Sequence, residues 1–222
     1  MLHKETVESG TLDLIHRLLQ DDTFKQFNLV GGTALSLQLG HRKSVDIDLF
    51  TKSAFDKGRV AELLEANHSA KNVKVVENGI ISSIDNVKVD LIYHPFPDVH
   101  PLVVEEGIRM ASLEDIGAMK FNAMIADGSR FKDYIDMYVL LENRPLKAMI
   151  NAYTTKYPNV DAFMARTALT FFDDIVLSTV AFMRPEIKMR DLKVRFSKAI
   201  RDQKMVFPAP GMRRNLGKGR RR

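Results

Sequence analysis

The chain has 222 residues, 45% of them hydrophobic and 27% charged, enough apolar material for a buried core and too much for a disordered chain. It contains no cysteine, which excludes disulfides, thiolate zinc sites and cysteine nucleophiles and points to a reducing, cytoplasmic setting. The net charge is +5, but Arg213, Arg214, Lys218, Arg220, Arg221 and Arg222 supply six positive charges, so the body of the chain is near −1 and is not a strongly basic nucleic-acid binder by charge alone.

Near the amino terminus there is no long apolar segment, and no stretch approaches the roughly 18 apolar residues of a membrane-spanning helix, so no membrane association is expected. Leu12, Leu14, Ile15, Leu18 and Leu19 recur at helical spacing, which predicts an opening amphipathic helix. Residues 27–30 read as a short buried strand that runs into Gly31-Gly32. Residues 33–39 are good helix formers and Gly40 suits a C-cap. Residues 45–50 alternate, with Val45, Ile47 and Leu49 on one face and Asp46 and Asp48 on the other, the signature of a second strand. A helix is expected over 56–67. Strands at 73–76, 79–84 and 87–92, separated by Asn78-Gly79 and Asp85-Asn86, form an antiparallel meander.

Past Pro95 and Pro97 the pattern changes, and 112–201 reads almost wholly as helix. Ser112 followed by Asp115 is an N-terminal capping signal, the helix it opens contains Lys120, and 130–141, 161–172 and 186–201 are further helices. The expected organisation is an α+β fold, with a sheet domain over 1–110, a helical lobe over 111–205 and a basic tail over 206–222 whose composition predicts disorder.

Two features carry chemistry. A strand ending in Gly31-Gly32 at the start of a helix offers bare amides and a helix N-terminus to a phosphate, with the Thr33 hydroxyl in the first turn. Thirteen residues, 33–45, then lead to Asp46-Ile47-Asp48, two carboxylates on one side of a strand. Their mutual repulsion makes sense around a divalent cation, and magnesium suits such oxygen ligands together with water and substrate phosphates. Two solvated aspartates on an edge strand, and a simple tight turn at Gly31-Gly32, are the alternatives when each feature is taken alone.

Together, Gly31 to Phe50 (GGTALSLQLGHRKSVDIDLF), including the run His41-Arg42-x-Ser44-x-Asp46-x-Asp48, resemble the first motif of AbiEii/AbiGii-type toxin nucleotidyltransferases, a branch of the polymerase-β-like superfamily. The resemblance implies a polymerase-β-like mixed sheet with flanking helices, followed by a helical carboxyl-terminal lobe. It implies a third carboxylate, and Asp90 in Lys88-Val89-Asp90-Leu91-Ile92 is in place to complete a metal site with Asp46 and Asp48 and to take the proton from an attacking hydroxyl. It also implies that Lys120 contacts the triphosphate and that Lys132, Asp133 and Asp136 match an Arg/Lys-Asp-x-x-Asp segment that orders the site, Asp136 being counted with the catalytic residues. Lys132 and Asp136 would also make a plain i, i+4 surface pair. Gly31, Gly32, Thr33, Arg42 and Ser44 are the remaining nucleotide-binding candidates. The histidines have no zinc-site spacing.

The activity implied is transfer of an NMP from an NTP to an acceptor hydroxyl, with Mg2+ or Mn2+ as cofactor. Relatives in toxin-antitoxin systems modify tRNA 3′ ends, so tRNA or another RNA and a cognate antitoxin are the partners to expect. Lys188, Lys193, Arg195 and Lys198 form a basic helix face that, with the tail, suits an RNA backbone; an ordinary solvated helix face is the alternative. A catalytically silent nucleotide- or RNA-binding module of the same fold, and an Asp-x-Asp glycosyltransferase, are the competing readings.

Overall fold

A computed structural model of the protein describes residues 1–209. The chain opens with helix α1 (Ser9–Gln20), whose Leu14, Ile15, Leu18 and Leu19 are buried as the spacing requires. Strand β1 (Asn28–Val30) passes directly into α2 (Gly31–Leu39), which Gly40 terminates in the left-handed conformation. Then come β2 (Ile47–Thr51), α3 (Lys57–His68), β3 (Lys71–Val76), β4 (Gly79–Ile84) and β5 (Val87–Tyr93). The side chain of Asp56 caps α3 by accepting from the Arg59 amide. A short hairpin, β6 (Val103–Glu105) and β7 (Ile108–Met110), precedes α4 (Leu113–Ala126), α5 (Phe131–Leu140), α6 (Leu146–Lys156), α7 (Ala162–Ala168) and α8 (Met189–Arg201). Among the described residues no helix is long and apolar enough to cross a membrane.

The strands form one seven-stranded mixed sheet in the order β3-β4-β5-β2-β1-β7-β6. β3, β4 and β5 are the antiparallel meander expected from the turn residues, while β2 runs parallel to β5 and β1 parallel to β7. Residues paired across a sheet share a face. One row across it therefore reads Met110, Leu29, Leu49, Leu91, Ile80, all fully buried. The next row, one residue along, reads Val30, Asp48, Asp90, Ile81 and belongs to the opposite face. The hydrophobic row anchors the two central strands, and the period of two then puts both aspartates on the other side.

Three sequence expectations are corrected. Residues 45 and 46 lie before β2, and Val45 is 54% exposed instead of sharing the buried face of Ile47 and Leu49. Their backbone is claimed elsewhere: the Thr33 hydroxyl donates to the Asp46 carbonyl, and the neighbouring Ser44 amide donates to Thr6. The hairpin of β6 and β7 was not expected, because three-residue strands are too short to display alternation; Glu106 and Gly107, both at positive φ, make its turn. Residues 169–188 are largely non-helical. Their β-branched run Ile175-Val176 and Thr179-Val180 and their Pro185 disfavour a continuous helix. Instead they form a strap tied down by hydrogen bonds from the Lys43 amide to Ala181, from Met183 to His41 and from Val176 to Ser129.

At the carboxyl end, Phe207 is buried and its amide donates to Leu141, so the ordered chain continues past the boundary expected at residue 206. The rest of the expected basic tail, 210–222, lies outside the described residues.

Candidate active site

β1, α2, β2 and β5 converge on one end of a cleft of about 660 Å³, whose lining includes Gly32, Arg42, Asp46, Asp48, Lys88 and Asp90. The far wall comes from the start of α5 and from the strap, through Arg130, Lys132, Asp133, Ser178 and Thr179. Gly31 has φ +69°, and a β-carbon there would lie 2.2 Å from Asp48 Oδ2. A β-carbon on Gly32 would lie 2.4 Å from the Arg42 guanidinium. Both glycines are therefore dictated by close approach, and the first also by its backbone conformation. Thr33 is buried; its hydroxyl lies 2.9 Å from Ser44 Oγ as well as against the Asp46 carbonyl. This pair fastens the loop that carries Asp46 to the first turn of α2 and leaves the Thr33 hydroxyl no exposed surface to offer a phosphate.

Asp48 and Asp90 are partners across the parallel pair β2·β5. Burial, and then the charge of Asp90, push the Asp48 carboxyl up to about 6, the expected result when two carboxylates share a partly desolvated site. Lys88 Nζ donates to Asp90 Oδ2 at 2.6 Å, while Asp90 Oδ1 is buried without a hydrogen-bond partner. Asp46, two residues before Asp48, is exposed at the mouth of the cleft. Among the described residues, no three or more acidic or histidine side chains form a ready-made metal cluster. The closely facing pair is Asp48 and Asp90, with Asp46 beside it. An orphaned carboxylate oxygen next to a second, repelling carboxylate fits a hard divalent cation, which needs only one or two protein carboxylates when substrate phosphates complete its shell.

Asp136 is fully buried and has no surface in the cleft. It accepts from His41 Nε2 at 2.8 Å and from Arg42 Nε and Nη2 at 2.7 and 2.8 Å, and pairs with Lys120 Nζ at 2.6 Å. Burial alone would raise its pKa; Arg42 and Lys120 override that and hold it well below the usual carboxylate range. The same burial depresses His41, against the pull of Asp136. Asp136 is thus a positioning residue rather than one that meets the reacting atoms: it orients Arg42 under Gly32 and fixes Lys120. Lys120, 8% exposed, also pairs with Asp133, which in turn meets Arg130. Burial opposes the Lys120 charge, but Asp136 and Asp133 raise its pKa.

Lys120 and Asp133 stand between the cleft and an adjoining pocket of about 350 Å³ lined by Phe50, His94, Met119 and Tyr157. Lys132 is exposed on the cleft rim. Residues not singled out in the sequence are Lys43, Lys88 and Arg130 and the strap around Ser178 and Thr179. Lys88 was legible, since it lies two residues from Asp90 and so shares its face of β5. The strap carries no periodic signal. On α8 the expected basic face loses one member: Arg195 is buried, stacks 3.4 Å over Tyr138 and donates to Glu142. Lys188, Lys193 and Lys198 are exposed.

A glycine turn from strand to helix, carboxylates on adjacent strands of a mixed sheet and a helical wall opposite are the arrangement of a nucleotidyltransferase fold. The structure is similar to the solution structure of the antibiotic-resistance factor ANT(2″)-Ia, with a TM-score of 0.54 and 18% identity over 72% of this chain and 94% of that one. A weaker likeness, at a TM-score of 0.46 and 18% identity, covers 88% of this chain and 94% of JHP933 from Helicobacter pylori. In sequence, the chain is 29% identical over 154 residues, 67% of its length, to the uncharacterized protein aq_aa25 of Aquifex aeolicus (strain VF5), of which 74% is covered. Residues 13–214 match the family model described as nucleotidyl transferase AbiEii toxin, type IV TA system. The chain belongs to this AbiEii nucleotidyltransferase family.

Proposed function

We propose that the protein is a divalent-metal-dependent nucleotidyltransferase that joins an NMP from an NTP to a hydroxyl of an RNA acceptor, a tRNA 3′ end being the acceptor of choice, and that it acts as the toxin of a toxin-antitoxin pair. The observation that carries the reading is the pairing of Asp48 with Asp90 beside the glycine turn: one buried oxygen without a partner, and a carboxyl pushed up to about 6. Family membership supports the toxin role and a cognate antitoxin.

Asp48 and Asp90, joined by Asp46, would hold Mg2+ or Mn2+, which when bound neutralises phosphate charge and lowers the pKa of the attacking hydroxyl. The amides at Gly31-Gly32 and the N-terminus of α2 receive phosphate oxygens. Lys43, Lys132 and Arg130 supply positive charge along the cleft, with Lys120 behind them, held in place by Asp133 and Asp136. The acceptor oxygen attacks the α-phosphorus, the bond from that phosphorus to the bridging oxygen breaks, pyrophosphate leaves, and Asp90 takes the hydroxyl proton. Positioning and charge stabilisation are most of what this reaction asks of the chain.

The test is incubation of the purified protein with each α-labelled NTP, magnesium and total RNA, beside Asp48→Asn. Label on an RNA band with the wild type alone supports the reading. Label on protein would replace the acceptor class. Magnesium-dependent NTP binding with no transfer to any macromolecule would favour a silent binding module.

A further inference from the structure

Four cations of the cleft are fixed by carboxylates, and they are not equivalent. Arg42 donates twice to Asp136, Lys120 is clamped between Asp133 and Asp136, and Arg130 pairs with Asp133. None of these anions is among Asp46, Asp48 and Asp90, so these cations do not hold a carboxylate that a metal would take. Lys88 differs: among the described residues it alone pairs with one of those three carboxylates, at 2.6 Å from Asp90 Oδ2. Its side chain is 52% exposed against 15% for Asp90, so its amino end reaches into the cleft from outside while the carboxylate lies within.

The pair is incomplete. One ammonium satisfies one oxygen of Asp90, and the other, Oδ1, remains buried and unpartnered beside Asp48. Lys88 thus makes the one direct ion pair to these three carboxylates among the described residues, while Lys120 acts on Asp48 from further off.

We propose that Lys88 is a displaceable cation of the carboxylate site, pairing through Oδ2 with the carboxylate whose free Oδ1 a divalent cation would take, and moving onto a nucleotide phosphate once that cation is bound. The inference rests on the nucleotidyltransferase reading above and adds to it a residue role. An ammonium on Oδ2 and a divalent cation on Oδ1 would share one carboxylate, and like charges that close repel strongly in a partly desolvated cleft. A lysine is suited to the move: it carries a compact charge on a flexible four-carbon stem, unlike the forked Arg42 guanidinium locked on Asp136. Its half-exposed stem is free to swing along the floor of the cleft, toward the phosphates that the same cation would bring in. Lys88 thereby lowers the affinity of the empty site for metal and raises that of the loaded site for nucleotide, which favours joint over separate binding.

The test uses Mn2+ titrations of the full chain read by electron paramagnetic resonance, without nucleotide, on wild type, Lys88→Met, Lys88→Gln and Asp48→Asn, each checked for folding by its melting curve. Removing the competing ammonium should tighten Mn2+ binding about tenfold in both Lys88 variants. With Mn2+ saturating, both should bind a non-hydrolysable NTP analogue about tenfold more weakly, measured by calorimetry. Mn2+ affinity unchanged or weakened in the Lys88 variants, while Asp48→Asn abolishes it, would overturn the role of Lys88 and leave the carboxylate site standing. Nucleotide affinity unchanged in the loaded Lys88 variants would overturn the phosphate contact. A wild type that binds no Mn2+ would overturn both the role and the reading beneath it.

Discussion

Gly31 and Asp48 are in such close approach that any side chain at residue 31 would overlap the Asp48 carboxylate, 2.2 Å from the position of the missing β-carbon. The glycine turn and the carboxylate strand are therefore one unit. Gly31→Ala both strains a φ of +69° and displaces the Asp48 carboxylate from its place opposite Asp90. A misplacement on the scale of 1 Å costs about 100-fold in rate. The expected outcome is a loss of that size in kcat/KM for NMP transfer with the fold retained, checked by labelled-NTP kinetics beside circular dichroism. Near-normal kinetics would mean that the carboxylates do not need this spacing.

Asp136 anchors His41, Arg42 and Lys120 without touching the cleft. Asp136→Asn leaves Arg42 buried without its anion and Lys120 with Asp133 alone, and breaking a buried ionic network in this way costs about 3–5 kcal/mol. Urea unfolding at pH 7 measures it. The pH dependence has a definite sign: the folded pKa of Asp136 lies below the unfolded value. Its contribution is therefore present above the unfolded value, near 4, and is lost as pH falls toward the folded one. The wild type should lose its advantage over Asp136→Asn in acid; a gap that stays constant down to pH 2 contradicts the assignment.

His94 contributes a second pH effect through the opposite charge change. Burial, then the nearby Lys156, depress it from 6.5 to about 4. The unfolded chain binds the proton first, so stability is complete above about 6.5 and declines as pH falls toward 4. Allowing for its partial exposure, the effect is roughly 1–2 kcal/mol. His94→Gln should flatten the stability profile between pH 4 and 6.5, read from thermal unfolding across that range.

Glu142 accepts from Arg184 Nη1 and Nη2 and from Arg195 Nη1, which ties the strap to α5 and α8. Glu142→Ala should destabilise by about 3 kcal/mol, because it leaves two largely buried guanidinium groups without their anion. Loss of substrate affinity should accompany it, since the strap carries Ser178 and Thr179 into the cleft wall. Denaturant curves and nucleotide titration separate the two effects.

On α8, Lys188, Lys193 and Lys198 are exposed while Arg195 is sequestered. If the exposed lysines meet RNA phosphates, replacing all three by glutamine lowers the slope of log affinity against log salt by about 2, at roughly 0.7 per contact for single strands. Filter binding across a salt series reads the slope. An unchanged slope assigns the face to solvent.

Much of the nucleotidyltransferase fold was legible in the sequence, because period and punctuation are local. β4 begins and ends at the residues its alternation and turns predict, and α3 starts directly after the Asp56 cap. The Asp-Ile-Asp alternation holds for Ile47, Asp48 and Leu49 and fails at Val45, where hydrogen bonds from Ser44 and Thr33 to distant backbone make the strand begin late. The short β6–β7 hairpin and the strap over 169–188 had no periodic signature to reveal them.

What the sequence by itself determined is the chemistry on offer: a glycine turn, carboxylates at i and i+2, and a later aspartate on an alternating strand. Family motif and hydrophobic period are both short-range, so they survive without coordinates. Only the tertiary structure decided which groups meet. Parallel pairing of β2 with β5 sets Asp48 against Asp90 across 42 residues of chain, and folding of α5 onto the loop after α2 turns Asp136 into a buried anchor for Arg42 and Lys120. Partners so far apart in sequence are chosen by sheet register and helix packing, which bury one row of side chains and so orient the next; no local pattern encodes that choice.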